Sequence, residues 1–323
     1  MKVWGTKMKI VILEAKTIGE DIDMTIFNNI GETVIYDLTK KEELKERLQG
    51  FDVAVINKSK FDKELLSKCK DLKLICVTAT GYDNIDVEYC SENGIAVCNV
   101  PAYSTESVAQ VTAAMALSLS TNLFSYKNIT ANKTYTKLGA PNILTPVFHE
   151  ISDKTWGIVG YGNIGKQVEK IAIAMGCKTL FYKKTPIDDE KCVDLKTLCE
   201  NSDIISVHTP LSQSTYKLIS RKMIELMKKD AILINTARGA VVDEGALAEA
   251  ILEGKIAGAG VDVYSQEPYP ENSPMAKIAH LDNVCLTPHM AWGAYESRYR
   301  CMTEVYKNVE AFKNGEIRNR LDV

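Results

Sequence analysis

The sequence predicts an α/β protein built on parallel sheets, and three observations carry that prediction. Short runs rich in Val and Ile alternate with stretches of helical period, the pattern of strands joined by crossover helices. A glycine-rich turn, Gly160-Tyr161-Gly162-Asn163-Ile164-Gly165, stands between one such run and an amphipathic stretch. The length of 323 residues suits two domains, at roughly 100–200 residues each.

In chain order, the first series of apolar runs predicts strands at 9–13, 33–36, 53–56, 74–77 and 95–97, with helices between them. One helix is expected to open on Thr39-Lys40-Lys41-Glu42, a capping box in which Thr39 and Glu42 satisfy backbone donors ahead of Leu44 and Leu48. The stretch 107–119 is Ala-rich and apolar on nearly every side, so it is expected to be a buried helix that joins two domains. The next stretch, 132–153, mixes Gly, Pro, Asn and Thr without a period and reads as a loop. The rhythm then restarts, with strands at 156–159, 179–182, 204–207, 232–235, 258–261 and 283–286. Six strands suit the two mononucleotide-binding halves of a doubly wound Rossmann sheet. In the last helix, 296–314, Met302, Val305, Tyr306, Val309 and Phe312 share one face.

Composition narrows the function. With 46% hydrophobic and 25% charged residues the chain is neither disordered nor fibrous. Its 39 Lys+Arg against 42 Asp+Glu give a net charge of −3, far from the basic footprint of a nucleic-acid binder. Nine cysteines, an odd number without a Cys-x-x-Cys pair, and four histidines fit neither a disulfide framework nor a zinc ribbon, so no metal site is expected and a reducing cytoplasm is. The amino terminus from Met1 to Lys9 lacks the apolar stretch of an export signal. No run of about 18 apolar residues occurs, so no membrane partner is expected.

The glycine turn carries the cofactor reading. Gly160, Gly162 and Gly165 answer three needs: a tight turn, close backbone approach to a pyrophosphate, and close packing of helix on strand. Orphan N–H groups and the helix dipole then hold the phosphates. About 20 residues on, a site for NAD would place an acid on the ribose 2′-hydroxyl. Here stand Lys183 and Lys184, cations that suit a 2′-phosphate, so NADP(H) is favoured over NAD(H), although Asp188 or Asp189 on a shifted loop could still reach the ribose.

Ligands of an open α/β sheet bind beyond the carboxyl ends of its strands. Three of those ends carry reactive groups: Arg238 after the fourth strand of the second series, Glu267 after the fifth and His289 after the sixth. A guanidinium grips a carboxylate with two parallel hydrogen bonds, and a His held by a carboxylate moves a proton near neutral pH. Beside a nicotinamide the trio suits reduction of a 2-keto acid: Arg238 binds and polarises, His289 donates the proton, and Glu267 keeps His289 protonated.

Several motifs then resemble one family along almost the whole chain, the D-isomer-specific 2-hydroxyacid dehydrogenases. They are Ala79-Thr80-Gly81-Tyr82-Asp83-Asn84-Ile85-Asp86, Val100-Pro101-Ala102-Tyr103-Ser104-Thr105, the glycine turn, His208-Thr209-Pro210-Leu211, Thr236-Ala237-Arg238-Gly239, Val261-Asp262-Val263 and Pro288-His289-Met290-Ala291-Trp292. The resemblance implies that Arg238, Glu267 and His289 are the catalytic residues. It implies pyrophosphate contacts at Asn163 and Ile164, an adenosine-side loop at Thr209, Pro210 and Thr215, and contacts near the nicotinamide at Thr236 and Asp262. Substrate contacts are implied at Thr80 and Gly81, whose backbone N–H groups would meet the carboxylate, with Asn57, Lys58 and Trp292 as further lining. It also implies a layout with two cuts: 102–295 as the Rossmann domain, inserted into a flavodoxin-like substrate domain of 1–101 and 296–323. The helices 107–119 and 296–314 fit that layout and a homodimer. Lys183 replaces the family's usual acid, while Asp83 and Ala102 stand where relatives often have Asn and Gly.

Within the family, the Ala-Thr-Gly and His-Met-Ala-Trp stretches are similar to hydroxypyruvate reductases, also called glycerate dehydrogenases, so a small polar 2-keto acid is the expected substrate. D-lactate dehydrogenase is the alternative in the same class. A corepressor-like NAD-binding module is the alternative outside it.

Overall fold

The computed structural model describes residues 7–323, so most of the amino-terminal stretch read for an export signal lies outside the described residues. The chain divides into two compact units: one runs to Ser104 and resumes over Gly293–Val323, and the other is Thr105–Trp292.

In the first unit, β1 (Lys9–Ile12), β2 (Glu32–Ile35), β3 (Val53–Ile56), β4 (Leu74–Val77) and β5 (Ala96–Cys98) form a parallel sheet in the order β2-β1-β3-β4-β5. That is the flavodoxin-like order, with its switch point between β1 and β3. The central strands β3 and β4 are buried at every position, which is why they read as unbroken apolar runs. Val11, Ile56, Phe61, Leu66, Ile75 and Val97 form the core. The helix Tyr295–Asn314 returns to this unit and buries Met302, Val305 and Val309, with Tyr306 edge-on to Phe27. Beyond it residues 321–322 close the β5 edge, where Leu321 N–H donates to Val97 O and Asp322 accepts from Val97 N–H.

Two details differ from expectation. The crossovers lie at 104/105 and 292/293 rather than after 101 and 295, because Tyr103 and Gly293 bond within the first unit: Tyr103 O accepts from Ser297 and Arg300, and Gly293 O from Arg298. The expected capping box is displaced by one residue. Glu43, not Glu42, accepts from the Lys40 N–H at 2.8 Å, and the Thr39 hydroxyl instead donates to Leu13 O. Tertiary contact thus overrides the local motif.

In the second unit, β6 (Thr155–Val159), β7 (Lys178–Tyr182), β8 (Ile204–Val207), β9 (Ile232–Asn235), β10 (Gly258–Val261) and β11 (Val284–Leu286) form a parallel sheet in the order β11-β10-β9-β8-β6-β7. The two halves are unequal: where the first half should have its third strand, the chain makes only the bridge Phe181–Cys192 beside β7. With that remnant included, the doubly wound order is complete and its switch point lies between β6 and β8. Alternate strand residues line opposite faces. Ile204, Ile232 and Ile234 join Trp156 under the helices Thr105–Ser120 and Asn163–Ala174, while Ile205, Val207 and Leu233 face the other side with Leu247 and Met275.

The apolar helix 107–119 extends over Thr105–Ser120 and spends Ala109, Ala113, Met115, Ala116 and Leu119 on its own unit. Two further helices follow, Leu123–Ala131 and Thr134–Leu138; the second interrupts the stretch read as a continuous loop, opening where Asn132 accepts from the Thr134 N–H and hydroxyl. Among the described residues no helix is long and apolar enough to cross a membrane, and the nine cysteines are unpaired.

Candidate active site

The rim of the second sheet sets out the chemistry in strand order. From β11 to β7 the strand ends deliver His289, Glu267, Arg238, Thr209, the glycine turn and Lys183. Neighbouring parallel strands lie about 4.8 Å apart, so this row is roughly 24 Å long.

At the turn after β6, Gly160 has φ of 100°, and a Cβ there would stand 2.8 Å from the backbone of His208 and Thr209. A Cβ at Gly165 would meet Gly160 O at 2.3 Å. At Gly162 it would meet nothing within 4 Å, so that side of the backbone is open to an incoming group. Gly162 starts the helix Asn163–Ala174 without a side-chain cap, which leaves first-turn N–H groups, among them those of Asn163 and Ile164, for an anion. The turn fits a dinucleotide diphosphate.

Around it, Lys183 and Lys184 are exposed at the end of β7, and Lys184 Nζ donates to Ser214 Oγ at 3.0 Å across the end of β6. Asp188 is exposed, and Asp189 accepts the Lys191 N–H. After β8, Thr209 is half-buried and Pro210 exposed, whereas Thr215 is buried and turns its hydroxyl to Pro210 O and the Ser212 N–H, so it shapes the loop rather than lining it. Beneath the loop, Ser206 Oγ accepts from Trp156 Nε1 and bonds His208 Nε2, and burial pushes the His208 imidazole down to about 3.

At the other end, Gly239 lets the β9 and β10 loops meet, since a Cβ there would lie 2.0 Å from Tyr264. Arg238 is half-buried and its backbone is pinned by Asn235 Nδ2 at 3.0 Å. Thr236 is buried with its hydroxyl 3.0 Å from that of Thr112. Glu267 Oε2 meets His289 Nδ1 at 2.6 Å while Oε1 accepts from the Tyr264 N–H at 3.1 Å. A carboxylate only accepts, so Nδ1 carries the hydrogen and Nε2 is the ring atom left to exchange a proton.

His289 sits at a φ of 53°, an uncommon conformation for a residue with a side chain. Asp262 holds it there. Buried at 1% exposure, Asp262 accepts from Thr287 Oγ1 at 2.5 Å, Met290 N–H at 2.8 Å and Ala291 N–H at 2.9 Å, and its own carbonyl accepts the His289 N–H. Burial pushes this carboxyl above the usual range, against those bonds. Asp262 therefore supports the His289 loop from inside, and the Trp292 indole closes it by donating to His289 O.

In the first unit, Asn57, Lys58 and Ser59 all donate backbone N–H to one oxygen of Glu14, buried at the end of β1. Asn57 also bonds Thr17, so its amide is committed to the loop. Thr80 is exposed and its hydroxyl donates to Val100 O, with Gly81 half-buried after it. Glu14 was not anticipated, although it stands at a strand end, where the same search made in the second sheet would have found it.

Residues 113–291 match the NAD binding domain of the D-isomer specific 2-hydroxyacid dehydrogenases. A glycerate dehydrogenase of Methylorubrum extorquens is 37% identical over 96% of this chain and 98% of its own length. Among solved structures, an acyclic imino acid reductase (Bsp5) in complex with NADPH and D-Arg has a TM-score of 0.85 at 33% identity, covering 97% of this chain and 100% of that one. A D-lactate dehydrogenase from Aquifex aeolicus complexed with NAD and lactic acid has a TM-score of 0.83 at 32% identity, covering 95% and 96%.

Proposed function

The chain belongs to the D-isomer-specific 2-hydroxyacid dehydrogenase family, and from that premise we propose that it reduces a small polar 2-keto acid, hydroxypyruvate or glyoxylate, to the D-2-hydroxy acid. The observation that carries the reading is the Glu267–His289 pair on the strand end next to the Arg238 loop. Gly160, Gly162, Asn163, Ile164 and Gly165 would hold the diphosphate, with Thr209 and Pro210 beside the adenosine on the loop that Thr215 shapes, and Thr236 and Asp262 towards the nicotinamide. A reduced nicotinamide bound there supplies the hydride for the keto carbon. Arg238 grips the substrate carboxylate in a fork and draws charge towards the carbonyl oxygen. His289 Nε2 gives that oxygen its proton and is left neutral, while Glu267 holds the ring by Nδ1 and stabilises its cation before transfer. Thr80, Gly81, Asn57, Lys58 and Trp292 keep the substrate-side roles that the resemblance assigns them.

NADP(H) is the preferred cofactor in this reading, on two supports: Lys183 and Lys184 occupy the end of β7 with no acid between them, and the imino acid reductase it resembles was solved with NADPH. The unpaired thiols suit the cytoplasm. A homodimer is the expected assembly, with the helices Thr105–Ser120 and Tyr295–Asn314 as candidate supports. A further support is the stretch after the first of them, where Leu123, Leu138, Leu144, Val147 and Phe148 are exposed; light scattering would read one chain or two.

A panel of hydroxypyruvate, glyoxylate, pyruvate and phenylpyruvate, run with NADPH and with NADH, tests the function. Highest kcat/KM on hydroxypyruvate or glyoxylate is expected. Preference for pyruvate would move the assignment to D-lactate dehydrogenase, as the Aquifex structure allows. Turnover of none would leave the corepressor-like module.

A further inference from the structure

Glu169 lies on the helix that follows the glycine turn, faces inward at 7% exposure, and has no part in the chemistry above. Its carboxylate gathers partners from three places. Tyr161, inside the glycine turn, donates its hydroxyl. Thr179 on β7 donates at 2.9 Å. Lys191, where the loop after β7 rejoins that strand, donates Nζ at 2.6 Å. Burial alone would raise this carboxyl, but Lys191, Tyr161 and Thr179 outweigh it and hold it below the usual range. The ring of Tyr161 is fixed as well, stacked on Phe181 of β7 at 3.7 Å and 7°, with Lys166 over it at 5.8 Å.

The two segments joined in this way are those that would bind opposite ends of the ADP half of the cofactor. Tyr161 stands between Gly160 and Gly162, on the diphosphate side. The loop closed by Lys191 begins at Lys183 and Lys184, on the ribose side, and is anchored by Phe181 N–H to Lys191 O and Val193 N–H to Phe181 O. We propose that Glu169 is a positioning residue for the dinucleotide, a buried carboxylate that locks the glycine turn and the loop after β7 into one preorganised site. This rests on the reading that a nicotinamide dinucleotide binds at the turn. Preorganisation lowers the cost of binding without touching the reacting atoms, so the effect belongs in cofactor affinity and not in turnover.

The test compares wild type, Glu169→Gln, Tyr161→Phe, Lys191→Met and the Tyr161→Phe/Lys191→Met pair. Kd for NADPH and NADH is read by fluorescence titration, kcat at saturating cofactor, and Tm. In Glu169→Gln the amide turns a donor towards Lys191, and Kd for both dinucleotides is expected to rise about tenfold, as for loss of a hydrogen bond to a charged group. Its kcat should stay within about twofold. The two single variants should weaken binding by less, and the pair by less than the product of the singles, because both act through one carboxylate. A fall in Tm with Kd unchanged would reduce Glu169 to a structural role and overturn the proposal. Should Glu169→Gln not fold, wild-type Kd values in both single variants would overturn it equally. If the wild type binds neither dinucleotide, it is the cofactor reading that fails.

Discussion

Glu267 holds His289 by a 2.6 Å bond to Nδ1 and is itself held by the Tyr264 N–H through its second oxygen. The carboxylate cannot swing away without breaking both bonds, so it fixes which ring nitrogen is left to exchange a proton. Replacing Glu267 by Gln keeps the shape and removes the charge. For keto-acid reduction kcat/KM at pH 7.5 is expected to fall about 10²-fold, the usual scale for general acid catalysis. A near-normal rate would detach Glu267 from the proton transfer.

Arg238 is asked for more than charge. Lysine in its place keeps the cation and loses the fork, so Arg238→Lys should lose about 2–4 kcal/mol of transition-state stabilisation, read as a matching fall in kcat/KM. Near-normal rates would remove Arg238 from substrate binding.

Lys183 and Lys184 sit where an acid would select an unphosphorylated ribose. The double change Lys183→Asp with Lys184→Ala should move the NADPH:NADH ratio of kcat/KM towards NADH by about tenfold or more, the loss of charge-assisted contacts to a phosphate. The same ratio in the variant would show that the 2′-position is read elsewhere.

His208 makes stability depend on pH. Burial keeps it neutral in the fold down to about 3, against an ordinary value of 6.5. Between those limits the unfolded chain carries the extra proton, so this contribution is complete above pH 6.5 and is lost as pH falls towards 3, by up to about 1.4 kcal/mol per pH unit. Carboxylates held low, such as Asp203, Asp243 and Asp322, lose their contribution only below the ordinary carboxylate range, and the opposing pull of Asp262, whose carboxyl burial raises, is common to wild type and a His208 variant, so their difference from pH 6.5 down to about 5 isolates the histidine. Denaturant midpoints measured across that interval should fall less steeply for His208→Gln than for wild type; parallel slopes would count against the assignment.

Much of this was legible from residue order because the sheets are parallel and buried. Ile204–Val207 and Ile232–Asn235 are buried at every position and coincide with the expected strands. The third strand of the first mononucleotide half was not legible, since it has shrunk to a bridge at Cys192 within a charged loop. Glu169 and Glu14 escaped notice for a related reason: a carboxylate in a sequence reads as surface until its partners are known, and theirs lie on other segments. Ala102 is the opposite case. Noted only as standing where Gly is common, it proves to have a φ of 60°, which explains the preference for Gly in steric terms.

The return of residues 308–322 to β5 also orders events during synthesis. Val97 bonds Leu321 and Asp322, and Asn308 donates to Asn99 O, so the first unit cannot complete its sheet edge or seat its last helix until those residues have been made. Thr105–Trp292 emerges in between, over roughly 10–40 s at ordinary elongation rates. The unit begun second is therefore finished first, and for that interval β5 is an open edge that a nascent chain must keep from pairing elsewhere.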